Sequence, residues 1–136
     1  MRSELLRTST LVAVGLLGAC VTVNKPPVQD ARTVPSGART QVAYFYYLGK
    51  DCQPQGVPQV TVTKAPANGT VTIGAGAHLP QYAADNAGAP CNQQPVQSAE
   101  VYYQSSENFR GADSFSIAVR YSSSYTQAYT YGVTVN

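Results

Sequence analysis

Three observations predict an all-β fold, a sandwich of two antiparallel sheets with about seven short strands. Only 12% of the 136 residues are charged, and valine, threonine, serine and tyrosine, which suit pleated, half-buried surfaces, are plentiful. Short segments of alternating apolar and polar residues lie between frequent glycines and prolines. The length suits one domain, and a net charge of +2 is too small to indicate a nucleic-acid-binding surface.

Residues 1–19 have the features of a secretory signal peptide. Two arginines precede an apolar run, residues 11–19, that is too short to span a membrane. The run ends in L-G-A-C, which resembles a bacterial lipobox, and this resemblance implies that Cys20 receives the lipid. Because no aspartate follows the cysteine, it also implies an outer-membrane lipoprotein facing the periplasm or the cell surface. The alternative is an ordinary secretory signal with a chance cysteine.

Two further regions follow the signal peptide. Residues 20–33 contain two prolines and no apolar periodicity, so we expect a lipidated N-terminus and a flexible tether there. Residues 34–136 form the predicted folded domain, whose first strand is expected to begin at Val34.

The most apolar predicted strand, residues 40–48, reads T-Q-V-A-Y-F-Y-Y-L. Alternation places Val42, Tyr44 and Tyr46 on one face and Phe45 on the other. Because both faces are apolar, the segment is either a central strand with its second face partly covered or an aromatic patch exposed for binding.

A pair of strands and a long loop are predicted in the middle of the chain. Residues 60–63 alternate valine with threonine, an Asn-Gly turn follows, and a strand over 70–73 returns with Val71 and Ile73 facing inward. Residues 74–98 are rich in glycine, alanine, proline, asparagine and glutamine and have no period. We therefore expect a long loop there, of a length that is usually functional or disordered.

Cysteine usage predicts one disulfide. If Cys20 is lipidated, Cys52 and Cys91 remain as an even pair in an oxidising compartment. The bond would pin the long loop 74–98 and is interpreted as structural, because the sequence has no C-x-x-C redox motif. The alternative is two free thiols.

Residues 101–119 predict a strand, a corner and a second strand. From Phe115 to Val119 apolar residues alternate with serine and alanine, as in a strand with one buried face. Gly111 can take positive φ at the bend, and Asp113 can hold the turn by accepting hydrogen bonds from nearby backbone amides. A last strand near the C-terminus alternates tyrosine and valine with smaller residues.

The same segment resembles the closing motif of tandem immunoglobulin-like and cadherin-like domains of bacterial surface proteins, roughly Y-x-P-x-x-x-F-x-G-x-D-x-F-x-Y. Ser105 and Ile117 stand where the family usually has proline and an aromatic residue. Upstream, P-A-N-G-T-V from Pro66 fits the family's P-x-x-G-T-V turn. The resemblance covers about residues 34–136 and implies an immunoglobulin-like sandwich. The matching motif residues are Tyr103, Phe109, Gly111, Asp113 and Phe115.

Few residues suggest catalysis or metal binding. His78, the single histidine, has no second ligand at a metal-binding spacing and no nucleophile motif beside it. Glu100 and Glu107 can be interpreted as a glycosidase pair, but solvated carboxylates explain them better. Asp113 is interpreted as a turn carboxylate, because acidic neighbours are few, and a calcium ligand is the alternative. The sequence predicts no enzyme, no cofactor and no metal site.

Ten tyrosines suit either a sandwich core or a binding surface. We expect a lipid-anchored, non-catalytic envelope module that attaches to the membrane through its lipid and binds a protein or polysaccharide, but no nucleic acid. The alternative is a lipoprotein inhibitor that inserts loop 74–98 into a periplasmic or host hydrolase. The alternation assigns six tyrosines to the core, Tyr44, Tyr46, Tyr103, Tyr121, Tyr129 and Tyr131, and four to a possible binding surface, Tyr47, Tyr82, Tyr102 and Tyr125.

Overall fold

The computed structural model describes residues 25–136, so the predicted signal peptide and Cys20 lie outside the described residues. Within 25–136, no helix is long and apolar enough to cross a membrane. A short 3-10 helix, Ala89–Gln93, lies between the fourth and fifth strands. The seven strands are β1 (Val28–Val34), β2 (Thr40–Phe45), β3 (Gln59–Lys64), β4 (Gly69–His78), β5 (Val96–Ser105), β6 (Gly111–Ser122) and β7 (Tyr125–Val135).

The strands form two sheets, ordered β1-β7-β6-β3 and β2-β5-β4. In the immunoglobulin arrangement, the third, sixth and seventh strands share one sheet and the second, fourth and fifth strands share the other, as they do here. All neighbouring strands are antiparallel except β1, which runs parallel to β7. The predicted immunoglobulin-like sandwich of seven strands is confirmed.

The core lies between the sheets and centres on the two strands of the closing motif. Tyr103 on β5 and Phe115 on β6 are fully buried and stack with ring centroids 6.1 Å apart, and Phe115 stacks on Tyr131 at 5.0 Å. The alternation predicted the inward phase of these residues. Other buried apolar residues of the core are Val34, Val42, Phe45, Val101, Ile117, Val119, Val133 and Val135.

The first strand begins earlier than predicted. Residues 28–33, which the sequence pattern assigned to the tether, form most of β1. Asp30 and Arg32 pair with each other on this exposed edge strand, with Nη1 of Arg32 2.6 Å from Oδ1 of Asp30. Because two of the seven residues of β1 are charged, its sequence does not show the alternation of apolar and polar residues by which a strand is predicted.

The segment 40–48 forms a shorter strand than predicted and turns its tyrosines outward. Its register against β5 shifts between Gln41 and Ala43, so that Val42 and Phe45, three residues apart, are both buried. A shift of this kind ends the strict alternation of a strand. Tyr44 and Tyr46 therefore lie outside the core, contrary to the prediction.

The predicted loop 74–98 is reduced to residues 79–95, because β4 continues to His78 and β5 begins at Val96. The Asn-Gly turn does not close a hairpin, because β3 and β4 belong to different sheets. Gly69 is required there because a Cβ atom would lie 2.9 Å from the Tyr103 ring.

Ile73 was predicted to face the core but is 42% exposed. Its register partner Val101 on β5 is fully buried, so the inward direction itself is correct. β4 is the edge strand of its sheet, and among residues 25–136 its extensive contacts are with β5 alone. The opposite sheet therefore leaves this part of β4 uncovered.

Candidate functional site

The outer face of the three-stranded sheet carries a continuous line of aromatic and charged side chains, which we call the aromatic row. It begins on the loop before β2, crosses β5 and β4, returns to β2 and ends on loop 79–95. In spatial order its members are Arg39, Tyr102, Glu100, His78, Tyr44, Tyr46 and Tyr82.

The first half of the row is charged and internally hydrogen-bonded. The guanidinium of Arg39 lies 3.4 Å above the ring of Tyr102, whose hydroxyl donates to Glu100 at 2.7 Å. Nε2 of His78 lies 2.8 Å from the other oxygen of Glu100, and because a carboxylate only accepts, this nitrogen donates. The hydrogen bonds from Tyr102 and His78 hold the pKa of Glu100 below its usual value.

The second half of the row consists of packed rings. The imidazole of His78 stacks on Tyr44 at 4.1 Å, and Tyr44 lies 6.2 Å from Tyr46. Tyr46 meets Tyr82 edge to face at 5.9 Å. Partial burial raises the pKa values of Tyr44 and Tyr82, so both hydroxyls stay protonated donors at neutral pH.

Two glycines of β4 make room for the row. Thr72, Gly74 and Gly76 pair with Tyr102, Glu100 and Ser98 and so share the outer face with them. A Cβ atom at Gly74 would lie 3.2 Å from the Tyr102 ring, and one at Gly76 would overlap the Glu100 carboxylate. The glycines that suggested a loop are therefore needed in a strand that lies under two large side chains.

A groove of about 460 Å³ opens beside the row, between the edge strands β1 and β2. Tyr44 and Tyr46 belong both to the row and to the groove wall. The groove volume lies within the range of small-ligand sites. Its other lining residues are Val28, Asp30, Arg32, Gln41, Val42, Ala43, Phe45, Gln81, Tyr129 and Tyr131.

Arg32 is held in place at the groove. Its Nη1 donates to Asp30, its Nε donates to the carbonyl oxygen of Val42 at 2.8 Å, and its guanidinium lies 5.7 Å from the ring centre of Tyr131. With the side chains of Asp30 and Arg32 each more than one-third exposed, both signs of charge remain available to a ligand.

Loop 79–95 forms one end of the site and is held by several contacts. The predicted disulfide is present, with the Cα atoms of Cys52 and Cys91 5.2 Å apart. The side chain of Asn92 accepts from the amide of Tyr82 at 3.0 Å and donates to its carbonyl at 2.9 Å. Gly88 lies against the Tyr82 ring, where a Cβ would come within 2.9 Å. These contacts fix Tyr82 at the end of the row.

The four tyrosines predicted for the surface divide between two places. Tyr102 and Tyr82 lie in the aromatic row, near its opposite ends. Tyr47 and Tyr125 both pack on Tyr121, at centroid distances of 6.0 and 5.3 Å, and Tyr121 shares a hydroxyl hydrogen bond with Tyr129. We call Tyr47, Tyr121, Tyr125 and Tyr129 the second tyrosine cluster.

The sequence interpretation of two row members was wrong. His78 was assigned to an unpatterned loop, but it ends β4, and Glu100 was expected to be solvated, but its side chain is only 13% exposed. His78 and Glu100 are 22 residues apart in the chain and meet because β4 pairs with β5. Nothing local in the sequence encodes that pairing. Glu107 lies in the exposed corner after β5.

Asp113 ties the corner of the closing motif to the β3–β4 connection. Its carboxylate accepts from the amides of Ala67 and Asn68, both at 3.0 Å, from Ser114 at 2.8 Å and from the Tyr103 hydroxyl at 2.8 Å. Burial alone would raise the pKa of Asp113, but these four donors hold it below its ordinary value. In the part of the chain that the structure describes, no group of three or more His, Cys, Asp or Glu side chains is placed to hold a metal ion.

No protein-family model matches the chain, and no curated protein sequence is similar to it. Among solved structures, it is similar to one described as "Solution Structure of Amebosin", with a TM-score of 0.41 and 9% sequence identity. The match covers 82% of this chain and 100% of that chain. A likeness this weak supports no inference about function.

Proposed function

We propose that this protein is a non-catalytic binding module of the bacterial cell envelope, anchored in the outer membrane by a lipid on Cys20. Its binding surface is the aromatic row together with the groove, and its ligand is a segment of an envelope polysaccharide. The observation that carries the proposal is that Tyr44 and Tyr46 join a line of fixed rings to a groove lined by Asp30 and Arg32.

The chemistry of the groove suits a hydroxyl-rich polymer. Tyrosine offers an apolar ring and a polar tip, so it contacts both the carbon faces and the hydroxyl groups of a sugar. Asp30, Arg32 and Gln41 add acceptors and donors to the groove lining. Because the contacts of Arg32 and the stacking of Tyr44 already order these side chains, little entropy is lost when a ligand binds.

The test measures binding of the full chain to purified envelope polysaccharide fractions. Tyr46→Ala and Arg32→Ala should each weaken binding about tenfold or more, because truncating an interface anchor typically costs at least 1 to 2 kcal/mol. Tyr125→Ala, which removes a ring that neither lines the groove nor belongs to the aromatic row, is the matched control and should bind like wild type. Equal loss in all three variants, or capture of envelope proteins alone, would contradict the proposal.

The alternative function, inhibition of a hydrolase, draws support from loop 79–95. The disulfide and the two hydrogen bonds of Asn92 hold this loop in one shape, and Leu79 at its start is 52% exposed. A pull-down from envelope extracts separates the two functions. One hydrolase bound in a one-to-one ratio and lost in Leu79→Ala favours the inhibitor, whereas polysaccharide binding lost in Tyr46→Ala favours the module.

A further inference from the structure

The free edge of β4 is the longest uncovered strand edge in residues 25–136. β4 spans ten residues, Gly69–His78, and β5 is its single strand neighbour in the part of the chain that the structure describes. The backbone amides and carbonyls on its other side therefore form a row that can pair with another strand. This edge does not line the groove, although His78 at its end belongs to the aromatic row.

The other strand edges carry features that hinder pairing, and β4 does not. β1 has the charged pair Asp30 and Arg32, β2 has a register shift after Gln41, and β3 has a shift next to Lys64. Charges and bulges are the usual means by which proteins protect edge strands. The sequence of β4, G-T-V-T-I-G-A-G-A-H, has no proline, Asp, Glu, Lys or Arg, and its ladder with β5 is regular over all ten residues.

The distribution of side-chain size along β4 is complementary to itself. The first half carries the branched residues of T-V-T-I, and the second half, G-A-G-A, carries at most a methyl group. An antiparallel pairing of two copies centred on Gly74 places Ile73 opposite Ala75 and Val71 opposite Ala77. Val71, Thr72 and Ile73 then each face an alanine or a glycine on the same side of the sheet, and the terminal pair sets Thr70 against His78.

The same pairing covers an exposed apolar strip. Ile73 is 42% exposed, and Ala75 and Ala77 on the same side of β4 are exposed as well. We propose that two copies of this chain associate through β4, antiparallel and centred on Gly74, so that two three-stranded sheets become one of six strands. A second copy is the occupant that the size pattern favours, because a strand of uniform side-chain size would leave gaps or clashes in one half.

The pairing predicts a cross-link that depends on register. Opposed residues of an antiparallel pair have Cα atoms about 4.5 to 5.5 Å apart, within the range of a disulfide. Full-length Ile73→Cys mixed with full-length Ala75→Cys should therefore form a covalent dimer under mild oxidation. Either variant alone should give little dimer, because its two new cysteines lie diagonally, about 7 to 8 Å apart.

The association itself is measured by light scattering of the full chain in detergent over a range of concentrations. Wild type should approach the mass of two protein chains as concentration rises, and Ala75→Lys should stay monomeric, because it sets a charge against Ile73 of the second copy. Thr61→Lys, on the exposed face of β3, is the matched control and should dimerise. The proposal would be overturned if wild type stayed monomeric or if both lysine variants lost dimerisation equally. It would also be overturned if either cysteine variant alone cross-linked as efficiently as the mixture.

Discussion

Asp113 joins three parts of the sandwich through one carboxylate. It lies on β6, accepts from the Tyr103 hydroxyl of the opposite sheet, and accepts from two amides of the connection between β3 and β4. Asp113 of the closing motif therefore links the two sheets, in addition to holding the local turn that its neighbours Gly111 and Ser114 suggest.

Replacement of Asp113 by alanine should lower the free energy of unfolding by about 2 to 4 kcal/mol. Three backbone amides and one hydroxyl lose a charged acceptor, and each hydrogen bond to a charged group is worth about 1.5 to 3 kcal/mol before water compensates the exposed ones. Urea denaturation measures the change. Tyr103→Phe, which removes a single donor, should cost less than Asp113→Ala, and the reverse order would contradict the assigned role.

Acid should destabilise the protein through Asp113 and Glu100. The pKa values of both carboxyls are lower in the folded state than usual, so their contribution to stability is fully present above the unfolded pKa of about 4. It is lost as the pH falls through the lower folded values. Thermal melts between pH 7 and pH 2 should show this loss, and Asp113→Ala should show a smaller one. An unchanged acid dependence in that variant would exclude Asp113 as its source.

At the scale of the element, β6 and β4 show how burial decides the effect of a substitution. Phe115→Ala on β6 removes a fully buried ring that stacks on Tyr103 and Tyr131, which should cost about 3 to 5 kcal/mol. Ile73→Ala on β4, at a concentration where the protein is monomeric, should cost under about 1 kcal/mol, because its side chain is 42% exposed. Similar losses in the two melts would mean that the burial of one strand is wrongly assigned.

The disulfide ties loop 79–95 to the loop before β3. Its two cysteines are 39 residues apart, and closing a loop of this length stabilises a protein by about 4 kcal/mol in the chain-entropy model. The double variant Cys52→Ser, Cys91→Ser should therefore melt at a distinctly lower temperature than wild type. Added reductant should lower the wild-type melting temperature toward that of the double variant and leave the variant unchanged.

The elements differ in how far the sequence could predict them, and the reason is physical. β6 has one face in the core and one outside it, so apolar and small residues alternate and this alternation predicts the strand. In β4, Gly74 and Gly76 are small because Tyr102 and Glu100 lie over them. The resulting glycine-rich sequence is typical of a loop, so it predicted one. The aromatic row depends on pairings between distant strands. The sequence therefore indicated a binding surface for Tyr102 and Tyr82 and kept an exposed patch at Tyr44 and Tyr46 as an alternative, but it did not place His78 or Glu100 beside them.

At the scale of the whole molecule, the proposed pairing and the proposed binding surface reinforce each other. The aromatic row lies on the outer face of the sheet that β4 borders, so a six-stranded sheet carries two rows on one face. A repetitive polymer that reaches both rows binds the second one at high effective concentration, which increases avidity without any new contact. Ala75→Lys should therefore weaken binding to long polysaccharide chains more than binding to short fragments, which titrations with sized fractions measure.

Attachment of the molecule to the membrane is expected to depend on Cys20. The motif L-G-A-C predicts that Cys20 carries the lipid. Since β1 begins at Val28, the chain between them can extend at most about 29 Å, shorter than a tether reaching to Val34 would allow.

The expected effect of Cys20→Ser is loss of lipid attachment. One acyl chain binds a membrane only marginally, so stable attachment requires the several chains that a lipoprotein cysteine carries. The variant should appear in the soluble fraction or retain its signal peptide, whereas wild type should sediment with outer membranes and incorporate labelled fatty acid. Cys52→Ser is the matched control, because it removes a cysteine without touching the motif, and it should incorporate the label like wild type. Absence of label from wild type would contradict the anchor.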